Sequence, residues 1–388
     1  MKILLSNKFY YRRGGDCIYM LNLEQLLKKH GHEVAVFAMD YPENIDTPWQ
    51  KYFPQNMSKL MALTRPFGSY EVKSKFSWLL DVFKPDVVHF NNIHTQLSPV
   101  IVELAHQRGI RVVWTLHDYK LLCPRYDCLR DGKEICELCF GGDKTPCKTY
   151  HCMKGSRLAS EIGYREAVMW SRERLEACTD LFICPSRFMA EKMAQGGFME
   201  DKLKVLCNFI DIEKCRKDYY TKGDYYCYVG RLSHEKGVGT LIEAASRLPY
   251  KLKLIGGGPL QEQLKIKNEQ LKGNVEFLGF RQWNEIKEIV GQAKFTVVPS
   301  EWYENNPLSV IEAECIGTPV LGARIGGIPE LIEEGLNGMI FQSGNITDLV
   351  EKIKAMFETR FNYKNIADKA MKQYNAESYY NNIISIYK

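Results

Sequence analysis

Two glutamates separated by seven residues are the side chains of this sequence whose spacing most clearly allows chemistry. Glu304 lies in a loop after an apolar strand, and Glu312 lies inside the helix that begins near Pro307. The amides of Leu308 and Ser309 at the start of that helix have no helical carbonyl partner and can bind a phosphate. Two carboxylates beside a phosphate site suit a sugar nucleotide, because they can accept hydrogen bonds from ribose and hexose hydroxyls. A solvated helix face is the alternative explanation for either glutamate alone.

A second group of residues is suited to binding a diphosphate. Arg231 and Lys236 stand five residues apart after a strand, where a planar guanidinium and a compact ammonium can neutralise phosphate charge. Glycines after two further strands, at Gly14-Gly15 and at 256–258, allow backbone amides to approach an anion. Tight turning alone would also explain these glycines. The G-x-G-x-x-G pattern does not occur in the sequence, which disfavours an NAD enzyme.

Short apolar runs alternate with helix-length amphipathic segments along nearly the whole chain, which is typical of β-α-β units on parallel sheets. The β-rich runs form two series of six: 2–5, 33–38, 86–91, 111–116, 181–184 and 202–206, then 225–229, 251–255, 275–278, 295–298, 319–321 and 339–341. We therefore predict an α/β protein with two doubly wound, Rossmann-like domains at 1–208 and 209–365. A helical tail at 366–388 could pack back on the first domain.

The order of these features resembles one known family. Glu304 and Glu312 make up the E-x7-E signature of retaining glycosyltransferases of family 4, which have the GT-B fold of two Rossmann-like domains facing across a cleft. The other matching features, in chain order, are Gly14-Gly15, His117, Pro185-Ser186, Gly230-Arg231-Leu232 with Lys236, and Gly256-Gly257-Gly258-Pro259. The resemblance covers nearly the whole chain and is to the type that builds bacterial capsule, O-antigen or exopolysaccharide.

The resemblance implies a nucleotide-diphosphosugar donor, with a UDP-sugar as the default, bound mostly by the second domain. Arg231 and Lys236 would neutralise the diphosphate, and Glu312 would bind the ribose. Glu304 would bind the donor sugar, and His117 would lie near that sugar as the second catalytic residue. The remaining implied donor contacts are Gly14, Gly15, Gly230, Gly257, Asn305, Asn306, Leu308 and Ser309.

One departure from the family concerns the loop after the first glutamate. Family members often have Gly-Phe-Gly there, whereas this chain has Asn305-Asn306-Pro307. Proline lacks an amide hydrogen, so the contacts to the sugar must differ in detail. Retention without an obvious second nucleophile indicates front-face attack, in which a phosphate oxygen of the leaving group takes the acceptor's proton. The sequence has no Asp-x-Asp metal motif, so we expect catalysis without a metal cofactor.

Cysteine is the unusual component of the composition, because six of the 13 cysteines lie within 123–152. Cys136 and Cys139 have the C-x2-C spacing that zinc favours, and Cys147 and Cys152 could complete a tetrahedral site. Alternative ligands are Cys123, Cys128 and His151. We predict that 123–152 is an insertion with a structural zinc. Reduced unligated thiols, a disulfide or an iron–sulfur cluster are the alternatives.

Charge and composition limit the partners. A net charge of +5 over 388 residues is too small to indicate nucleic acid, and we expect none as a partner. The N-terminus lacks the apolar core of a signal peptide and no run is long enough for a membrane span, so we expect a cytoplasmic protein. The segment 51–84 mixes lysines with aromatic residues, which suits contact with the inner face of a membrane. An amphipathic helix that covers the sheet explains that segment equally well.

The function we favour is a retaining glycosyltransferase that extends a glycan or a lipid-linked glycan. Another GT-B enzyme, such as a sugar-nucleotide epimerase, is the first alternative, but we identify no acid–base pair for it in the sequence. A zinc-containing binding module is the second alternative. The balanced charge and the lack of basic runs beside the cysteines disfavour it.

Overall fold

The structure is a computed structural model that describes residues 1–55, 63–216 and 220–388. Its strands within these ranges, numbered β1 to β14 in chain order, are Lys2–Ser6, Glu33–Phe37, Val87–Phe90, Arg111–Thr115, Leu129–Arg130, Glu134–Ile135, Leu181–Cys184, Leu203–Val205, Tyr225–Val229, Lys251–Ile255, Val275–Gly279, Thr296–Val298, Val320–Ala323 and Gly338–Phe341. Its α-helices, numbered α1 to α14, are Gly15–Lys29, Tyr70–Phe83, Val100–His106, Thr145–Thr149, Arg157–Met169, Arg172–Ala177, Arg187–Gln195, Val238–Ala245, Gln261–Leu271, Trp283–Gln292, Leu308–Cys315, Ile346–Glu358, Tyr363–Gln373 and Ala376–Tyr387. The chain divides into two units, one of 1–131, 136–208 and 377–388 and the other of 132–135 and 209–376.

The first unit is built on a parallel sheet of six strands in the order β2-β1-β3-β4-β7-β8. All four residues of β3 are buried, as expected for a strand covered on both faces. The sheet order changes direction between β1 and β3, so the loops that follow these two strands lie next to each other. The backbone amide of Lys8, after β1, donates to the carbonyl of Asn92, after β3, at 2.8 Å.

Helix α2 uses its apolar face to cover this sheet. Its buried residues follow the helical period and are Val72, Phe76, Leu79, Leu80 and Phe83. The burial of each such side chain stabilises the fold by about 1.5–3 kcal/mol. Tyr70 and Trp78 stay largely exposed on the opposite side. The part of the aromatic and basic segment at 56–62 lies outside the described residues.

The second unit has a parallel sheet of six strands in the order β11-β10-β9-β12-β13-β14. In chain order this is the 3-2-1-4-5-6 arrangement of nucleotide-binding doubly wound sheets. The predicted α/β architecture of two doubly wound sheets is confirmed. In the second sheet the strand order changes direction between β9 and β12. The loops that follow these two strands contain most of the predicted site residues.

The last two helices belong to different units. Helix α13 lies in the second unit, whereas α14 from Glu377 onward belongs to the first. There, the Tyr387 hydroxyl lies 2.6 Å from Nδ1 of His89, and the ammonium of Lys29 donates to Glu377 at 2.7 Å. These contacts attach α14 to β3 and α1. None of the helices in the described parts of the chain is long and apolar enough to cross a bilayer.

Candidate functional site

Most of the predicted residues gather at the topological switch point of the second sheet. Ligands of doubly wound sheets bind outside the carboxyl ends of the strands at this point. β9 ends at Val229, directly before Gly230 and Arg231, and β12 ends at Val298 before the loop that carries Glu304. The strand order thereby brings together two loops that are far apart in the sequence.

An ion pair joins these two loops. The ammonium of Lys236 donates to Oε1 of Glu304 at 2.6 Å, and the Ser300 hydroxyl donates to the same oxygen at 2.7 Å. Glu304 is 7% exposed. Burial by itself would raise the pKa of Glu304, but the charge of Lys236 and these hydrogen bonds lower it below its usual value. Glu304 is therefore a carboxylate at neutral pH, with a cation held beside it.

Two glycines allow neighbouring loops to pack closely against the loop that carries Glu304. Gly237 has φ +65°, and a Cβ there would lie 1.8 Å from the carbonyl oxygen of Pro299. Gly326 has φ +60°, and a Cβ there would lie 2.1 Å from the backbone oxygen of Glu304. Any side chain at either position would displace the loop of Glu304.

The glycine-rich turn after β10 packs against the loop after β9. The amide of Gly230 donates to Ile255, and the amide of Leu232 donates to Gly257, both at 3.0 Å. The side chain of Arg231 in the same loop is exposed. These contacts place Gly230, Arg231 and Gly257 on neighbouring turns at the carboxyl end of the sheet.

Glu312 lies in the second half of α11 and lines a small pocket. The pocket is formed by residues of β9, α10, β12 and α11, and its walls are mainly apolar, with Thr296 and Ser309 as further polar residues. Burial raises the pKa of Glu312 to about 7. Glu312 thus differs from Glu304, because it has no ammonium partner among the described residues and changes charge near neutral pH.

The charge on Glu312 predicts a pH dependence. Ionised Glu312 accepts hydroxyl hydrogen bonds better, so we expect the affinity for a nucleotide ligand to rise about tenfold between pH 6 and pH 8. The stability of the unliganded protein depends on pH in the opposite direction, so it falls as pH rises. The folded-state pKa is above the unfolded value of about 4.3, so this group destabilises the fold as pH rises from there through 7. Calorimetric titration with UDP checks the affinity, and Glu312→Gln should remove its pH dependence. A wild-type affinity that stays constant across this range would contradict the expectation.

The start of α11 carries the other predicted phosphate contacts. Leu308 and Ser309 are its first residues, and Pro307 is the N-cap, so no side chain caps the first turn. Their amides have no acceptor inside the helix. Asn306 before them is buried, and Asn305 is half-buried.

The first unit holds the remaining predicted residues at the corresponding edge of its own sheet. Gly14 is the N-cap of α1, and Gly15 is its first residue. A Cβ at Gly15 would meet no atom within 4 Å, so packing against the described residues does not require glycine there.

His117 follows β4 in the first unit. Its Nε2 lies 2.9 Å from Oδ1 of Asn91, and its ring packs edge-on against Tyr19 with centroids 4.9 Å apart. Burial lowers the pKa of His117 to about 4, and the charge of Asp16 only partly opposes this effect. His117 is therefore neutral at neutral pH.

The predicted residues fall into two groups. The second unit holds Gly230, Arg231, Lys236, Gly257, Glu304, Asn305, Asn306, Leu308, Ser309 and Glu312, and the first unit holds Gly14, Gly15 and His117. Sequence reasoning assigned no role to Ser300, which bonds Glu304, or to Asn91, which bonds His117. Both lie within two residues of the end of a buried strand. A polar residue directly after an apolar run is therefore the sequence feature that could have identified them as site residues.

Two buried lysines hold the cysteine-rich segment together. The ammonium of Lys144 donates to the carbonyls of Leu122 and Cys139, each at 2.7 Å. The ammonium of Lys120 donates to Glu166 at 2.8 Å. Charge-assisted hydrogen bonds of this kind are strong in a buried setting. They tie the two halves of the segment to each other and to α5.

The predicted zinc ligands are not assembled as a metal site. Cys139 and Cys147 are buried, while Cys136 and Cys152 are half-buried. Across 1–55, 63–216 and 220–388, no three His, Cys, Asp or Glu side chains are grouped so that they could hold a metal ion. The zinc site therefore stays a prediction from the sequence.

Metal analysis tests that prediction. If zinc binds Cys136, Cys139, Cys147 and Cys152, the protein purified under reducing conditions without chelator should contain about one equivalent. A Cys139→Ser variant should lose the metal, whereas Cys227→Ser, which changes a buried strand cysteine of the second unit, should retain it. Less than about half an equivalent in the wild type would contradict the prediction.

Comparison with known proteins identifies the family. A family model described as Glycosyltransferase Family 4 matches residues 13–214, which is more than half of the chain. The chain belongs to glycosyltransferase family 4. A second model, described as Glycosyl transferases group 1, matches residues 211–376. The family predicted from the glutamate spacing and the glycine turns is confirmed, and so is the prediction of a glycosyltransferase enzyme.

Two bacterial relatives are similar to this glycosyltransferase over different shares of its length. An uncharacterized 42.6 kDa protein in the cps region of Klebsiella pneumoniae is 24% identical over 354 residues, which cover 85% of this chain and 87% of that protein. The amylovoran biosynthesis glycosyltransferase AmsK of Erwinia amylovora is 31% identical over 187 residues, 44% of this chain and 46% of AmsK. This second match thus spans about half of the relative's length.

Solved structures show the fold of the glycosyltransferase. Anabaena HepE in complex with UDP-glucose matches with a TM-score of 0.69 and 19% identity, covering 100% of this chain and 99% of that one. At this level of identity the likeness shows the fold alone. The predicted GT-B fold is confirmed.

Proposed function

We propose that this glycosyltransferase transfers a sugar from a nucleoside-diphosphate sugar to a glycan or lipid-linked glycan, with retention of anomeric configuration. The observation that carries the proposal is the ion pair between Lys236 and Glu304 at the switch point of the second sheet. A cation and a carboxylate held 2.6 Å apart can bind a phosphate oxygen and a sugar hydroxyl on neighbouring parts of one ligand.

The diphosphate contacts follow from the groups at the carboxyl end of this sheet. Arg231 is exposed and Lys236 is fixed by Glu304, so both can neutralise phosphate charge without a large rearrangement. The amides of Leu308 and Ser309 add a helix N-terminus. Glu312 lies inside a small pocket, where its carboxylate can bind the ribose hydroxyls.

The reaction we propose is front-face substitution. The acceptor oxygen bonds to the anomeric carbon on the face from which the diphosphate leaves, and the bond from that carbon to the diphosphate oxygen breaks. The acceptor proton passes to an oxygen of the departing diphosphate. The protein stabilises the developing charge through Arg231 and Lys236, an effect that contributes several kcal/mol at comparable sites, roughly 3–4 per donor.

His117 and Glu304 would contact the sugar in this reaction. Glu304 is an ionised acceptor, and His117 is neutral, so both can accept hydrogen bonds from hydroxyl groups. A UDP-sugar is the first donor to test, since HepE, a protein of the same fold, has been solved with UDP-glucose.

The membrane contact proposed from the sequence would use the exposed side of α2. Tyr70 and Trp78 are exposed there, and Lys73 lies on the same side. Sedimentation with vesicles of anionic phospholipid, compared between wild type and Trp78→Ala, tests this contact. Equal recovery of both proteins in the supernatant would count against it.

A panel of UDP-, GDP- and dTDP-sugars tests the proposed function as a whole. We expect one donor to raise the unfolding temperature and to be hydrolysed slowly without an acceptor, releasing its nucleoside diphosphate. The anomeric configuration of a transferred sugar, read by NMR coupling constants, tests retention. No thermal shift with any donor would contradict the proposal, and conversion of a donor to its epimer would favour the alternative enzyme.

A further inference from the structure

Asn91 is a fully buried polar residue directly after β3, and none of the features read from the sequence assigned it a role. Its backbone amide donates to the carbonyl of Ser6 at 2.9 Å, and its carbonyl accepts from the indole of Trp114 at 2.9 Å. Its side-chain Nδ2 donates to the same Ser6 carbonyl at 3.3 Å. Asn91 is thus held by strands on both sides of β3.

These contacts determine which way the side-chain amide of Asn91 faces. The carbonyl of Ser6 can only accept, so the NH2 group must point toward β1 and Oδ1 must point toward His117. Oδ1 lies 2.9 Å from Nε2 of His117 and can only accept. The hydrogen of a neutral His117 must therefore be on Nε2, and Nδ1 carries a lone pair.

We propose that Asn91 is a positioning residue that holds His117 in the Nε2–H tautomer, so that Nδ1 accepts a hydrogen bond from a hydroxyl group of the bound sugar nucleotide. This inference rests on the proposed function for its ligand, but the tautomer itself does not depend on activity. No hydrogen bond joins Nδ1 to any residue in the described parts of the chain, so that nitrogen is available to a ligand.

The surroundings of His117 keep it in the form that accepts at Nδ1. The charged or titratable groups near the ring are Lys8, Asp16 and His89. Burial and Lys8 disfavour a protonated ring, and together they outweigh Asp16. Tyr19 packs against the ring edge-on. A protonated ring would donate at both nitrogens and could not accept from a sugar hydroxyl.

Nitrogen-15 NMR of histidine-labelled protein tests the tautomer directly. We expect the His117 resonances of the wild type to show Nε2–H and not to titrate between pH 6 and pH 8, because the pKa is about 4. Assignment comes from the loss of these signals in His117→Gln. An Nδ1–H tautomer in the wild type would overturn the proposal, even if the enzyme transfers sugar. Absence of transfer with the Nε2–H tautomer present would instead count against the proposed function.

Two substitutions separate positioning from packing. Asn91→Asp keeps the shape but places a negative charge beside His117, which favours the protonated ring. Relative to the wild type, we expect its kcat/KM to fall about tenfold at pH 6 and this deficit to disappear as pH rises, in addition to the pH dependence that Glu312 gives both proteins. Asn91→Leu should lower kcat/KM about tenfold or more at every pH and broaden or shift the tautomer signals.

Ser160→Ala is the matched control, since it removes a hydrogen bond of another buried polar side chain of the first unit, which accepts from the backbone amide of Met153 at 3.0 Å. We expect it to lose stability but to keep the wild-type tautomer and pH profile. If Asn91→Asp shows the same pH profile as the wild type, Asn91 has only a packing role and the proposal is wrong. Should Asn91→Leu fail to fold, the wild-type spectrum and Asn91→Asp still decide the question.

Discussion

The Glu304→Gln variant is expected to lose sugar transfer by about a hundredfold to a thousandfold while remaining folded. Glutamine keeps the shape of the side chain, but it removes the negative charge that holds the Lys236 ammonium 2.6 Å from Oε1. It also replaces a carboxylate, which only accepts hydrogen bonds, with an amide whose NH2 group donates them. The proposed contacts to the sugar and to the diphosphate are thus both disturbed. Glu304→Ala, which also leaves a cavity next to Ser300, should lose at least as much.

A second ion pair in the same unit provides the control for Glu304. Glu333 and Lys369 are also 2.6 Å apart, but both side chains are 52% exposed. Exposed pairs of this kind contribute about 0–1 kcal/mol, so Glu333→Gln should leave transfer and stability nearly unchanged. Initial rates with the donor identified in the panel, and circular dichroism of each variant, provide the comparison. Wild-type rates in Glu304→Gln would show that the donor site is elsewhere.

The Lys236→Ala variant is the second change with a large expected effect, again about a hundredfold to a thousandfold in transfer rate. It removes a cation proposed to stabilise the diphosphate as charge develops there. It also takes the cation away from the buried carboxylate of Glu304, which keeps the hydrogen bond from Ser300, so the pKa of Glu304 should rise. Loss of activity should therefore be greatest at low pH, where that carboxylate takes up a proton.

Comparison of donor binding with turnover separates the two roles of Lys236. If its charge acts mainly in the transition state, kcat should fall more than the affinity for the unreacted donor. Lys369→Ala is the matched control, because it removes a lysine from an ion pair of the same length on the surface. The double variant Lys236→Ala, Glu304→Gln should lose less than the product of the two single effects, since the residues are in contact. A Lys236→Ala enzyme with wild-type kcat would contradict the proposed role.

The sequence by itself was sufficient to predict the two sheets and to propose which types of residue make up the candidate site. Continuous apolar runs such as that of β3, separated by amphipathic helices, require strands covered on both faces, and two series of six predicted two sheets. Local chemistry also placed Arg231 and Lys236 after a strand and put Leu308 at a helix start. These features depend on residues that are close together in the chain, so the order of residues in the sequence is enough to predict them.

Only the tertiary structure decided which of these residues act on one another. Lys236 and Glu304 are 68 residues apart, and they meet because β9 and β12 are neighbours at the switch point. Asn91 and His117 are 26 residues apart and meet because β3 pairs with β4. The order of strands in a sheet follows from nonlocal packing, which no local periodicity encodes. For the same reason the charge states of Glu304 and Glu312 could not be read from the E-x7-E spacing: a lysine from another strand's loop stabilises one carboxylate, and an apolar pocket disfavours ionisation of the other.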